Sequence, residues 1–82
     1  MYKNKTADGR NNICGRKIRL YRLALPEKTS QRILAERMQV YGIDLDKNAI
    51  QKIEAGHRFV TDIELKVFAE FFGVTCEDLI EK

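Results

Sequence analysis

The side chains best suited to recognition chemistry sit together between Asp46 and Arg58, in the stretch DKNAIQKIEAGHR. An amide such as Asn48 or Gln51 offers a donor beside an acceptor, the pattern of an adenine edge. A lysine ammonium such as Lys47 or Lys52 can donate to guanine O6 and N7 or meet a phosphate. At about 100° per residue, a helix over this stretch puts Ala49, Ile50 and Ile53 on one side. Lys47, Asn48, Gln51, Lys52 and Ala55 take the other side, and no acidic residue interrupts them. Surface helices ordinarily mix Glu with Lys outward to gain i,i+4 pairs. On charge alone a solvated basic face is the simpler reading, so the neighbours must decide.

Those neighbours specify how the helix is held. Asp46 is its N-cap and Gly56 lies just past its end. Leu45 before the cap and Ile50 at the fourth helical position form a hydrophobic staple. A preceding helix opens at Ser30, with Gln31 in its first position. Leu34, Met38 and Tyr41 line it at i, i+4 and i+7, with Ile33 and Ala35 beside them. Gly42 ends it, and Ile43 can pack back on Met38 as in a Schellman stop. Two helices joined by a turn of about four residues make the pattern of a helix-turn-helix.

The flanking chain supplies the remaining layers. Cys14, Ile18, Tyr21 and Leu25 form an apolar stripe, predicting a first helix from Ile13 that Pro26 terminates. After the connector His57–Val60, Thr61-Asp62-Ile63-Glu64 is a capping box opening a fourth helix, with Leu65, Phe68, Phe71 and Phe72 as its apolar bulk. Gly73 stops it. Thr75-Cys76-Glu77-Asp78 opens a short last helix with Leu79 and Ile80. The expected fold is all-α with five helices. Residues 1–12 (MYKNKTADGRNN) are polar and basic, and are expected to form a flexible arm outside a domain of residues 13–82. Such an arm either touches a nucleic-acid backbone or minor groove, or is solubilising slack.

Size and composition bound the function. The chain has 82 residues, 44% hydrophobic and 33% charged, with a net charge of +3. Its sequence pI is about 9.0, which permits a nucleic-acid partner without demanding one. There is no apolar run of the length a membrane span needs and no signal peptide, so the expected compartment is the cytoplasm. Cys14, Cys76 and the single His57 have no metal-ligand spacing, and no metal or cofactor is expected. His57 has no nucleophile or second base beside it, so no enzyme activity is expected.

In this order the segments resemble the lambda-repressor-like (phage Cro/CI-type) helix-turn-helix family of transcriptional regulators. The resemblance spans about Ile13 to Ile80. It is carried by Ile18-Arg19-Leu20-Tyr21-Arg22, Ser30-Gln31, Leu34-Ala35, Ile50-Gln51-Lys52-Ile53-Glu54-Ala55-Gly56, Phe72-Gly73-Val74 and Asp78-Leu79-Ile80. It implies that helix 3 lies in the major groove of double-stranded DNA, with Lys47, Asn48, Gln51 and Lys52 facing bases. It also implies backbone contacts from Gln31, Arg58 and His57, and an internal ion pair between Arg22 and Glu54. Two features depart from the family pattern: helix 2 continues about one turn further, and the link Leu25–Thr29 is slightly long.

The expected function is therefore a sequence-specific DNA-binding regulator, a repressor in the first instance. It would act as a homodimer on a palindromic operator, with Val74, Cys76 and Ile80 at the dimer surface. The alternative is a protein-interaction module, such as an antitoxin or partner-binding regulator on the same scaffold. Carboxylates on the outward face of helix 3 would favour that alternative, and the face has none. An RNA-binding role lacks an exposed aromatic cluster for base stacking.

Overall fold

Each helix boundary follows from a local hydrogen-bonding device, and most of the devices are those written in the sequence. A computed structural model describes residues 9–81. It contains five helices and, among the described residues, no strand: α1 (Gly15–Leu23), α2 (Gln31–Val40), α3 (Lys47–Ala55), α4 (Asp62–Phe72) and α5 (Cys76–Leu79). Ser30 Oγ accepts from Ile33 N at 3.1 Å at the head of α2, and Asp46 Oδ1 accepts from Ala49 N at 2.8 Å at the head of α3. Both Thr61–Glu64 and Thr75–Asp78 form complete reciprocal capping boxes. These side chains satisfy amide groups that a helix start otherwise leaves without partners.

The stops are equally explicit. Ile43 N donates to Met38 O at 3.0 Å and Gly42 N to Gln39 O at 2.9 Å, closing α2 as a Schellman motif. The same pair of bonds closes α3, from His57 N to Lys52 O at 2.8 Å and from Gly56 N to Ile53 O at 3.0 Å. Gly56 has φ 84°, a left-handed conformation that a residue with a Cβ adopts only at a cost.

The first helix is shorter at both ends than the stripe Ile13–Leu25 predicts. Asn12 Oδ1 accepts from Gly15 N at 2.8 Å and Cys14 N at 3.3 Å, so the helix begins at Gly15. At the other end Leu25 N turns back to Arg22 O at 3.3 Å, and Leu25 itself remains half-buried. Gly15 has a packing reason: a Cβ there would lie 2.0 Å from the Ile53 carbonyl oxygen. The glycine thus lets the head of α1 press directly on α3.

The core is one cluster. Ile18, Leu34, Met38, Leu45, Ile50, Ile53, Phe68 and Leu79 are fully enclosed. Burying side chains of this size contributes about 1.5–3 kcal/mol each. Leu45 and Ile50, the staple pair, are both in this core. Helix α3 packs against α2 and α1, while α4 packs on α5, α1 and α2. At its border Tyr21 packs tilted against Phe72, Phe71 meets Phe72 edge to face, and Tyr41 stands edge-on to Phe71 at 6.0 Å between centroids. Thus α3 is clamped by two neighbours along its apolar side, and its other side is left outside.

Candidate nucleic-acid interface

Helix α3 separates its residue types by exposure. Ile50 and Ile53 are buried, whereas Lys47, Asn48, Gln51, Lys52 and Ala55 are all exposed. Glu54, the helix's one carboxylate, is buried instead of joining them. It accepts from Arg22 Nε at 2.7 Å and Arg22 Nη2 at 2.9 Å, a two-bond fork between α3 and α1. The two side chains are 3% and 10% exposed. Arg22 Nη1 also donates to Thr29 O at 3.0 Å, so one guanidinium joins α1, the link before α2, and α3. The hydrogen bond to Glu54 raises the Arg22 pKa despite burial. The ion pair expected between Arg22 and Glu54 is present, and it removes the only negative charge from the outward face.

The residues expected at the phosphate backbone are divided. Gln31 stands in the first turn of α2, but its side-chain Nε2 donates inward to Glu54 Oε1 at 3.0 Å. Arg58 is half-buried and forks onto Glu64, with Nη1–Oε1 at 3.0 Å and Nη2–Oε2 at 3.1 Å. That bond raises the arginine's pKa, against the opposing effect of burial. Burial is also the largest influence on Glu64 and pushes its carboxyl up. The Arg58 bond and charge, with the Thr61 backbone and hydroxyl, together outweigh burial and leave it below its ordinary 4.5. His57 has an exposed side chain.

Beside the outward face of α3 lies an open concavity of about 720 Å³. Asn48, Ala49 and Lys52 line it from α3, and His57, Arg58, Phe59 and Thr61 line it from the segment that follows. Asp46 is the one acid lining it, and its Oδ1 is the cap of α3. The structure therefore brings Asn48 and Lys52 to one recess with His57 and Arg58. Gln51 and Lys47 are exposed but do not line it, and Gln31 belongs to the Arg22–Glu54 cluster.

The residues that fasten this loop were not singled out by sequence reasoning. Asn12 Nδ2 donates to Ile53 O at 3.0 Å and to Arg58 O at 2.8 Å, while its Oδ1 caps α1. Asn11 N donates to Gly56 O at 2.8 Å, and Asn11 Nδ2 to His57 O at 3.0 Å. Arg10 donates to Ala55 O and Glu54 O at 3.3 and 3.2 Å, and its guanidinium covers Gly56. The last residues of the expected arm are thus bound to the end of α3, and residues 1–8 lie outside the described residues. One signal was available: Asn just before the apolar stripe that Cys14 begins is a residue type that caps helix starts.

At the other end of the molecule, Val74, Cys76 and Ile80 are half-buried, and Leu79 is fully enclosed. Ile80 borders Lys17 and Tyr21 of α1. Both cysteines are free. Burial pushes the Cys14 thiol up from 9.0 to about 11, so it stays protonated at neutral pH. Among the described residues, no three His, Cys, Asp or Glu side chains gather as a metal site, and no helix is long and apolar enough to cross a membrane. The chain matches no family model, no curated protein and no solved structure.

Proposed function

We propose that this protein is a sequence-specific double-stranded DNA-binding regulator of transcription, of the lambda-repressor-like kind. In this reading α2 and α3 act as a helix-turn-helix and α3 enters the major groove. The observation that carries the proposal is the sorting of α3: its one carboxylate is buried, and its outward side offers only amines, amides and a methyl. A polyanion with amide-matching edges is the partner that such a face suits. Asn48 and Gln51 read base edges, and Lys47 and Lys52 contact guanines or phosphates. His57 and the free backbone N–H groups at the head of α2 meet phosphates. Gln31 and Arg58 act chiefly by holding the elements that carry these contacts. Occupying an operator in this way is simplest as repression.

Selection from random duplexes, followed by footprinting, tests the proposal. The expected product is a pseudo-palindrome whose half-sites lie about 10 bp apart, one helical turn. A pool that shows no enrichment over its starting composition contradicts it.

The same reading includes a homodimer built through the C-terminal end, because one small module with net charge +3 makes few phosphate contacts. A second copy makes the other half-site contact effectively intramolecular. Ile80→Asp should shift sedimentation toward monomer and weaken binding to the full palindrome far more than to a half-site. A mutant that remains dimeric, or loses both sites equally, argues against this interface.

The second reading is a protein-interaction module, and one observation favours it: Arg58 is committed to Glu64, which reduces the positive charge offered beside α3. The selection experiment separates the two, since a protein-binding module enriches no duplex sequence.

A further inference from the structure

Phe59 has no role in the contacts described so far, yet it lines the same recess as Asn48 and Lys52. Its side chain is on a residue 54% exposed. Isolated exposed apolar residues are ordinary on protein surfaces. Leu20, Leu23, Val40 and Ile63 are exposed in this way, and none of them lines that recess. Phe59 differs in its place and in how it is held.

The loop that carries it has three successive carbonyls fixed by side chains. Asn11 Nδ2 donates to His57 O at 3.0 Å, Asn12 Nδ2 to Arg58 O at 2.8 Å, and Arg58 Nη1 to Phe59 O at 2.8 Å. Arg58 is itself forked onto Glu64 of α4. A backbone pinned this way presents the ring at a set position and lowers the entropy that ordering would cost on binding. Here an aromatic ring, an amide and an ammonium are offered together from one preformed concave surface.

We infer that Phe59 is a specificity-determining residue that contacts the C5-methyl group of a thymine beside the base read by Asn48. This rests on the proposed DNA-binding reading. The floor of the major groove is otherwise made of donors and acceptors, and the thymine methyl is its apolar group. A ring in a recess with polar neighbours gains little from a donor or acceptor but removes a methyl from water. Loss of one buried methyl corresponds to about a three- to fivefold weaker Kd.

The test uses the full chain and its selected duplex, with each thymine replaced in turn by uracil, which lacks only the methyl. Wild-type protein should bind about three- to fivefold more weakly to one such duplex, at a position next to the one relaxed by Asn48→Ala. Phe59→Ala should bind the thymine and uracil versions equally, and Phe59→Leu should retain part of the difference. Thermal melting of both variants confirms that the domain is folded. The inference is overturned if no uracil substitution weakens wild-type binding, or if Phe59→Ala keeps the full thymine preference. An equal loss by Phe59→Ala on both versions assigns the ring to general packing and overturns it too. A wild-type protein without any duplex preference fails the broader DNA-binding reading, a result visible before any uracil is introduced.

Discussion

Two arginine–carboxylate forks flank α3, and they differ in what surrounds them. Arg22–Glu54 joins α1 to α3 inside the molecule, with side chains 10% and 3% exposed. Arg58–Glu64 joins the loop after α3 to α4 at the edge, with side chains 33% and 13% exposed. Both are bidentate, yet only the first connects two helices of the core. An enclosed pair that spans elements fixes orientation, because either charge left alone has no water to turn to. An edge pair trims a loop and is partly screened, so it contributes less. The contrast implies that the angle of α3 is set from within and the shape of its recess from outside.

The comparison can be broken most severely at its buried member. Glu54→Ala should destabilise the domain by about 3–5 kcal/mol in urea unfolding, since it strands Arg22 and leaves the Gln31 amide without its acceptor. Replacing both Arg22 and Glu54 by apolar residues of similar volume should cost much less. A double-mutant cycle should give a favourable coupling of at least about 0.5 kcal/mol. Zero coupling would make the two forks equivalent and dissolve the distinction.

The edge fork gives a smaller, pH-dependent effect. The Glu64 carboxyl lies below its ordinary 4.5 in the folded protein. Its ionised form therefore contributes stability that is fully present above about 4.5 and is lost as pH falls through the lower folded value. Wild type should exceed Glu64→Gln in stability at neutral pH, and the difference should shrink on acidification below 4.5. A difference that grows on acidification would have the wrong sign for this pairing.

The same two regions show what the sequence disclosed. The caps at Ser30, Asp46, Thr61 and Thr75, the staple Leu45–Ile50 and the glycine stops all depend on residues close in sequence, and they are found where the patterns put them. The buried fork was expected only through the family resemblance, because residues 22 and 54 share no local pattern. Glu64 was legible as a capping residue but not as the partner of Arg58, since the capping box uses one oxygen and leaves the other unassigned. Asn12 was hidden for a different reason. Its composition is that of a polar arm, while two of its four hydrogen bonds, to Ile53 O and Arg58 O, reach positions far along the chain. Gln31 stood at the expected helix head, but which way its amide turns depends on Glu54, which only the packing of α3 brings near.

The central claim is that the outward side of α3 reads bases, with Asn48 as its most specific group. Binding of Asn48→Ala should be measured on the selected duplex and on a scrambled duplex of equal length at one salt concentration. The account predicts a loss of about 1–3 kcal/mol on the selected duplex, relaxed preference at a single base position, and little change on the scrambled one. Equal losses on both duplexes would contradict base reading and leave α3 as a basic surface without sequence choice.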